Sequence, residues 1–327
     1  MRPIILGILA AFFFAFTFVL NRSMELSGGS WIWSASLRYF FMLPFLFLIV
    51  GLRRNWSGVK REIAKSPTPW LVWSFVGFVL FYGPLSFAAA YGPGWLIAGT
   101  WQITIVSGSL LAPLFIQKLS APGGDLLVRG KIPVRGLFMS LIILVGIILM
   151  QAAQAQHLST NTLLLSVIPV LVASFAYPLG NRKMMELVGS RLDTYQRVLG
   201  MTLMSMPFWI ILAIYGVMTV GWPSWSQTFQ AFIVAVSSGV IATVLFFQAT
   251  DLVKGDMAKL AAVEATQAGE VLFAAAGEII FLSAPLPSGL STVGLLLVIG
   301  GMVLHSWVSG RTSEPKNRNT KKAADLG

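Results

Sequence analysis

Long apolar runs separated by short polar connections set the pattern of this chain. Ten runs read as membrane-crossing helices, at 3–20, 31–51, 70–90, 95–115, 136–153, 163–180, 195–216, 229–250, 259–282 and 292–309. A crossing helix needs roughly 20 mostly apolar residues. Lipid offers no water to unpaired backbone groups, so every run is expected to be helical. The expected fold class is an all-α integral membrane protein with ten transmembrane helices.

Composition agrees with that pattern. Hydrophobic residues make up 56% of the 327, and charged residues only 11%, against about 25% in soluble domains. The chain has no cysteine, which excludes disulfides, iron–sulfur clusters and thiolate zinc sites. Its two histidines, His157 and His305, fall in different segments without metal-ligand spacing. No metal and no cofactor are expected.

The charges orient the helices. Basic residues crowd the connections 52–69, 116–135, 181–194 and 251–258 and the stretch after 309. The connections 91–94, 154–161, 217–227 and 283–291 contain no Lys or Arg. All but Arg22 and Arg38 of the 23 basic residues thus lie on one side, and that side is expected in the cytoplasm. Both termini then face the cytoplasm across the cell membrane, which requires an even number of crossings. The first run is expected to be retained, since cleaving it would leave an odd number. Residues 310–327 are expected to form a disordered cytosolic tail. The net charge of +11 serves orientation and contact with anionic lipid. No nucleic acid is expected as a partner, because the basic residues are short flanks of apolar runs.

The chain also echoes itself. FAFTFVLNRSMELSG at 14–28 and FAYPLGNRKMMELVG at 175–189 share Phe-Ala and Met-Glu-Leu-x-Gly at an offset of 161. The Asn-Arg pairs, Asn21-Arg22 and Asn181-Arg182, match with a slip of one residue. Arg38, early in the second run, and Arg197, early in the seventh, lie 159 apart. These matches divide the chain into a first five-helix repeat at 1–155 and a second at 156–309. Five is odd, so the second copy enters the membrane upside down. An inverted-topology repeat of this kind is how many alternating-access transporters are built.

With these features, the chain resembles the drug/metabolite transporter superfamily. AAVEATQAGEVLFAAAGEIIFL at 261–282 resembles its ninth helix, with Glu264 and Gly277-Glu278 in the expected positions. Arg38 in SASLRYFFMLP resembles the arginine of its second helix, and GLLLVIGGMVL at 294–304 its Gly-rich tenth. The nearest branch is the multidrug resistance efflux transporter family, beside the EamA-like permeases. One departure is the fourth helix, which ends GSLLAPLFIQK without Gly-Glu. The resemblance implies a secondary active transporter exporting lipophilic or cationic drugs by alternating access. An amino-acid or other metabolite exporter of the same fold is the alternative, and a non-transporting scaffold or sensor is another.

Ionisable groups inside a crossing helix cost roughly 2.5–3.5 kcal/mol on insertion scales, so they mark candidate sites. The ninth run holds Glu264, Glu270 and Glu278. On an unbroken helix Glu264 and Glu278 lie about 40° apart, and Glu270 about 120° from Glu264. Glu270 is deepest and is the sharpest candidate. A carboxyl removed from water favours its neutral form, so a proton and a cationic solute can compete for one group. The coupling ion is then H+, as in an antiporter. The structural alternative pairs Glu270 with Arg38 or Arg197. Glu278, nearer the helix end, reads as structural.

Trp101 and Gln102 in the fourth run suit a flat apolar cation through stacking and cation–π contact. Trp95 belongs to the interfacial aromatic belt. Tyr39, Tyr82 and Tyr177 are weaker candidates. Arg38 could bind a substrate carboxylate, which would favour a metabolite. Asn21 and Asn181 read as helix caps. The chain carries no HExxH, GxSxG or P-loop signature, so an enzyme is not expected. The expected partners are a small-molecule substrate, membrane lipid, a coupling proton and a second copy of the chain as a homodimer.

Overall fold

A computed structural model describes residues 1–53, 56–92, 94–121, 124–155, 159–282 and 289–311. The structure is nearly all helical. The first elements are α1 (Arg2–Leu26), α2 (Trp31–Leu52), α3 (Trp56–Lys65), α4 (Pro67–Tyr91), α5 (Gly94–Trp101) and α6 (Ile103–Leu110). A two-stranded antiparallel hairpin follows, β1 (Ile116–Ala121) with β2 (Gly124–Arg129). Then come α7 (Val134–Ala155), α8 (Thr160–Val188), α9 (Thr194–Thr219), α10 (Trp225–Asp251), α11 (Met257–Ala265), α12 (Gly269–Leu282) and α13 (Leu290–Arg311). Among the described residues, six helices are long and apolar enough to cross a membrane, namely α1, α2, α4, α8, α9 and α10. Shorter apolar helical stretches run over Leu96–Leu110, Val134–Met150 and Leu290–Leu304.

Local chemistry sets the helix ends. Ser30 and Ser224 cap α2 and α10 with side-chain oxygens that accept from Ile32 and Gln227 N–H. Asp193 and Gln196 bond reciprocally at the start of α9 as a capping box. Gly189 follows α8 at φ +63°, a left-handed position that favours glycine.

Two connections are more ordered than their polarity suggests. Within 52–69, α3 forms a short amphipathic helix that buries Val59 and Glu62, with Arg191 donating to Glu62 at 2.8 Å. Within 116–135 the hairpin forms. One charge also moves out of a connection: Arg182, counted at the start of 181–194, lies inside α8 and is buried. The helix runs eight residues past the apolar run, to Val188, because its last two turns pack against protein.

Among the described residues, α4 and α10 contain π-helical segments, Phe75–Val79 and Ala235–Ala242. Such wide turns disturb the regular hydrogen-bond ladder and often mark functional sites. The run read as one ninth helix is split by a 3-10 turn at Thr266–Ala268 between α11 and α12. The fourth run breaks at Gln102 between α5 and α6. Angles reckoned along an unbroken ninth helix therefore do not describe Glu264 and Glu270.

Packing follows a reciprocal pattern. α1 lies against α10, α11 and α12, while α8 lies against α4, α5 and α6. α2 pairs with α9, and α7 with α13. Small residues permit the closest approaches: a methyl group on Gly180 would overlap the backbone of Gly77, and one on Gly146 would press against the backbone of Gly294. The interior is rich in large buried rings, among them Trp70, Trp209, Tyr39 and Tyr82.

Candidate functional site

Glu270 stands in the first turn of α12, immediately after the tightened turn at Thr266–Ala268. It is 1% exposed, and neither carboxyl oxygen has a hydrogen-bond partner. The Trp101 side chain is its polar neighbour without completing a bond. Glu270 and Gln267 face a slot with about 10 Å³ of free space, walled by Phe14, Thr17, Phe81, Trp101 and Tyr177. That is room for roughly one water, so the central site is closed around itself.

The walls form one aromatic cluster. Phe81 lies 4.5 Å from Tyr177 and 5.1 Å from Trp101 between ring centroids, and Trp101 lies 5.8 Å from Tyr177. The hydroxyl of Tyr177 is buried and unpartnered. Both amide atoms of Gln267 are also unpartnered. Gln102 differs: its amide nitrogen donates to Ala98 O at 3.1 Å within its own helix.

Arg38 approaches the same cluster from α2. It is 1% exposed. Its Nη2 donates to Ser238 Oγ at 3.0 Å, and Thr17 donates to that oxygen at 2.6 Å. The guanidinium lies 3.9 Å from the Tyr82 ring centroid and 5.8 Å from that of Phe81. Nε and Nη1 have no partner. No carboxylate among the described residues pairs with Arg38. A buried charge without a counter-charge costs several kcal/mol, so Arg38 is costly as it stands, and Glu270 is costly whenever it is ionised. The expected structural pairing of Glu270 with Arg38 or Arg197 is not formed.

The other charged candidates among the described residues are paired with an opposite charge, although Nε of Arg197 has no partner. Glu264 accepts from Arg182 at two points, Nε to Oε1 at 3.0 Å and Nη2 to Oε2 at 2.6 Å. A methyl group at Gly108 would overlap the Glu264 carboxylate, so glycine makes room for this pair. Arg197 Nη1 donates to Asp251 at 2.6 Å, and Thr194 donates to the same carboxylate at 2.7 Å. The Tyr39 hydroxyl donates to Phe78 O in the π-helical segment at 3.2 Å, and its ring stacks on Trp209 at 4.4 Å. Tyr82 bonds Asn21 at 3.3 Å. Asn21 and Asn181 do not cap helices; both lie inside helices that continue past them, and Asn181 bonds Thr250 at 3.3 Å. The side chains of Glu278 and Trp95 lie outside the described residues.

The structure adds Thr17, Ser238, Phe81 and Gln267 to the site. Hydroxyls inside apolar runs are a weak signal, because small residues there serve packing equally well. On the side of the basic connections lies a vestibule of about 480 Å³ bordered by Phe115, Arg182, Glu186, Lys254 and Met257. Arg182, the partner of Glu264, stands at its wall.

This fold, a bundle of apolar helices around buried charges, defines a multi-pass membrane protein, and the comparisons place it in a transporter class. A family model described as "EmrE: Putative multidrug resistance efflux transporter" matches residues 1–311. The chain belongs to this family of the drug/metabolite transporter superfamily. It is 61% identical over 326 residues to "Uncharacterized protein YjlA" of Bacillus subtilis (strain 168), covering 100% of this chain and 99% of the relative. It is 55% identical over 270 residues to "Uncharacterized 42.1 kDa protein in intracellular alkaline protease 3'region" of Shouchella clausii, covering 83% and 70%. A solved structure titled "Crystal structure of protein" matches with a TM-score of 0.68 at 13% identity, over 95% of this chain and 99% of that one. This last likeness concerns the fold alone.

Proposed function

We propose that the protein is a secondary active exporter working by alternating access, with Glu270 as the group for which a proton and a basic solute compete. The observation that carries this reading is the buried Glu270 carboxyl with neither oxygen bonded, facing an aromatic slot beside two discontinuous helices. Discontinuous helices at the centre of the bundle are a recurrent feature of secondary transporter sites. In the exchange cycle, solute binding requires the charged carboxylate and releases its proton. Return of the empty site requires the neutral acid.

Ten crossings in two inverted five-helix halves, 1–155 and 156–309, support alternating access. In their favour, the π-helical segments Phe75–Val79 and Ala235–Ala242 start 160 residues apart. Each carries the partner of an α2 side chain: Phe78 for Tyr39 and Ser238 for Arg38. The exchanged packing of α1 and α8 against the opposite half points the same way. Under this reading the vestibule opens to the cytoplasm, both termini are cytoplasmic, and the closed central slot is an occluded state. A metabolite exporter is the second reading, favoured by Arg38, whose free N–H groups suit a carboxylate.

Purified protein in proteoliposomes with a trapped pH dye tests the proposal. Addition of a lipophilic basic solute is expected to shift internal pH, and Glu270→Gln to abolish the shift while preserving folding. A variant that still moves protons with solute overturns the assignment.

A further inference from the structure

Arg38 and Glu270 present a combination that one charge on a solute does not satisfy. Both are buried at the same aromatic cluster. Each is ionisable, and each has two polar atoms without partners: Nε and Nη1 of Arg38, Oε1 and Oε2 of Glu270. The two are not bonded to each other. Phe81 connects them, lining the slot of Glu270 while lying 5.8 Å from the Arg38 guanidinium. Tyr177 lines the same slot, its ring 4.5 Å from that of Phe81.

Arg197 provides the contrast. It sits 159 residues further on in α9, at the place that answers to Arg38, and although its Nε is also unpartnered its charge is met by Asp251 at 2.6 Å. Arg182 likewise has Glu264. Of these three buried arginines, Arg38 is the one without a carboxylate. Each of its free nitrogens can give a carboxylate one charge-assisted contact, and a two-point grip also takes the second hydrogen of Nη2, whose first is on Ser238. A monocation would satisfy Glu270 and add its charge beside Arg38; a monoanion would do the reverse. A solute with both groups neutralises both ends at once.

From this geometry we infer that the solute of the central site is a zwitterion with an aromatic body, its acidic group held by Arg38 and its basic nitrogen by Glu270. The inference rests on the transport reading of the same cavity and names the substrate class within it. The rings of Phe81, Trp101 and Tyr177 take the body between the two charges, where aromatic faces also favour a nearby ammonium. The slot must widen to admit it, in keeping with a closed state.

Equilibrium binding to the purified full chain tests this with four probes: phenylalanine, phenylalaninamide, N-acetylphenylalanine and tetraphenylphosphonium. Phenylalanine is expected to bind at least about tenfold more tightly than either blocked form, the minimum for loss of one charge-assisted contact. Arg38→Gln is expected to bring the ratio of acid to amide close to one, and Arg38→Lys to keep part of it. Glu270→Gln is expected to remove the preference over the N-acetyl form. Equal or tighter binding of the amide by wild-type protein overturns the inference, and this comparison stands even if the Arg38 variants fail to fold. Binding of tetraphenylphosphonium alone, lost in Glu270→Gln, also overturns it while leaving proton-coupled export of cations intact. Conversely, zwitterion binding that needs both residues, with proton-coupled flux surviving Glu270→Gln, sinks the transport assignment and not the ligand class. Failure of all four probes to bind overturns the inference.

Discussion

Arg182 and Glu264 meet as a two-point ion pair, at 3.0 and 2.6 Å, with both side chains almost wholly buried. Removing one partner from such a pair leaves an uncompensated buried charge and costs about 3–5 kcal/mol, whereas replacing both with apolar groups is often neutral. Arg182→Met and Glu264→Leu are each expected to lower the unfolding midpoint in detergent sharply. The double variant is expected to recover most of the loss. Additive losses in a double-mutant cycle would contradict direct pairing.

The pair also marks the limit of what could be read along the chain. Arg182 follows an apolar run and reads as a connection charge; nothing local reveals that α8 continues to Val188 or that its partner lies 82 positions away. Glu270 is legible because a carboxylate in the middle of an apolar run is costly wherever it lies. Its lack of a partner is not, since that depends on which helices surround it. The helical runs are legible because lipid demands long apolar stretches. The π-helical segments and the turn at Thr266–Ala268 are not, because they arise from packing between helices and not from the propensity of the residues within them.

Close helix crossing gives a second expectation. A methyl group on Gly180 would overlap the Gly77 backbone, whereas nothing lies within 4 Å of one on Gly83 of the same α4 helix. Overpacking a core costs typically about 1–3 kcal/mol. Gly180→Ala should therefore destabilise α8 against α4 by about that amount. Gly83→Ala should be neutral or stabilise by up to about 1 kcal/mol through helix propensity. Thermal unfolding of the two purified variants separates the outcomes, and equal midpoints would deny the close crossing.

The absence of cysteine allows the inverted arrangement to be tested without a background. Single cysteines replacing Tyr91, at the end of α4, and Lys254, between α10 and α11, are expected to react with a membrane-impermeant maleimide from opposite sides of the cell membrane. Tyr91→Cys should label in intact cells, and Lys254→Cys only in inverted vesicles or after permeabilisation. Labelling of both from one side would refute the two inverted halves.

Two buried tyrosine hydroxyls should behave in opposite ways. Tyr39 donates to Phe78 O at 3.2 Å, and a typical hydrogen bond contributes about 0.5–1.5 kcal/mol net. Tyr39→Phe is expected to cost roughly that much and leave the acceptor without its donor. The Tyr177 hydroxyl has no partner in the closed structure, so its burial already carries a desolvation cost. Removing it should therefore leave stability unchanged or raised by about 1–3 kcal/mol. If that hydroxyl instead waits for a solute beside Glu270, Tyr177→Phe should weaken binding at the central site while the protein becomes no less stable. Unfolding midpoints and solute affinities measured on both variants decide the matter. A Tyr177→Phe protein that is destabilised yet binds normally would assign the hydroxyl to the fold and remove it from the site.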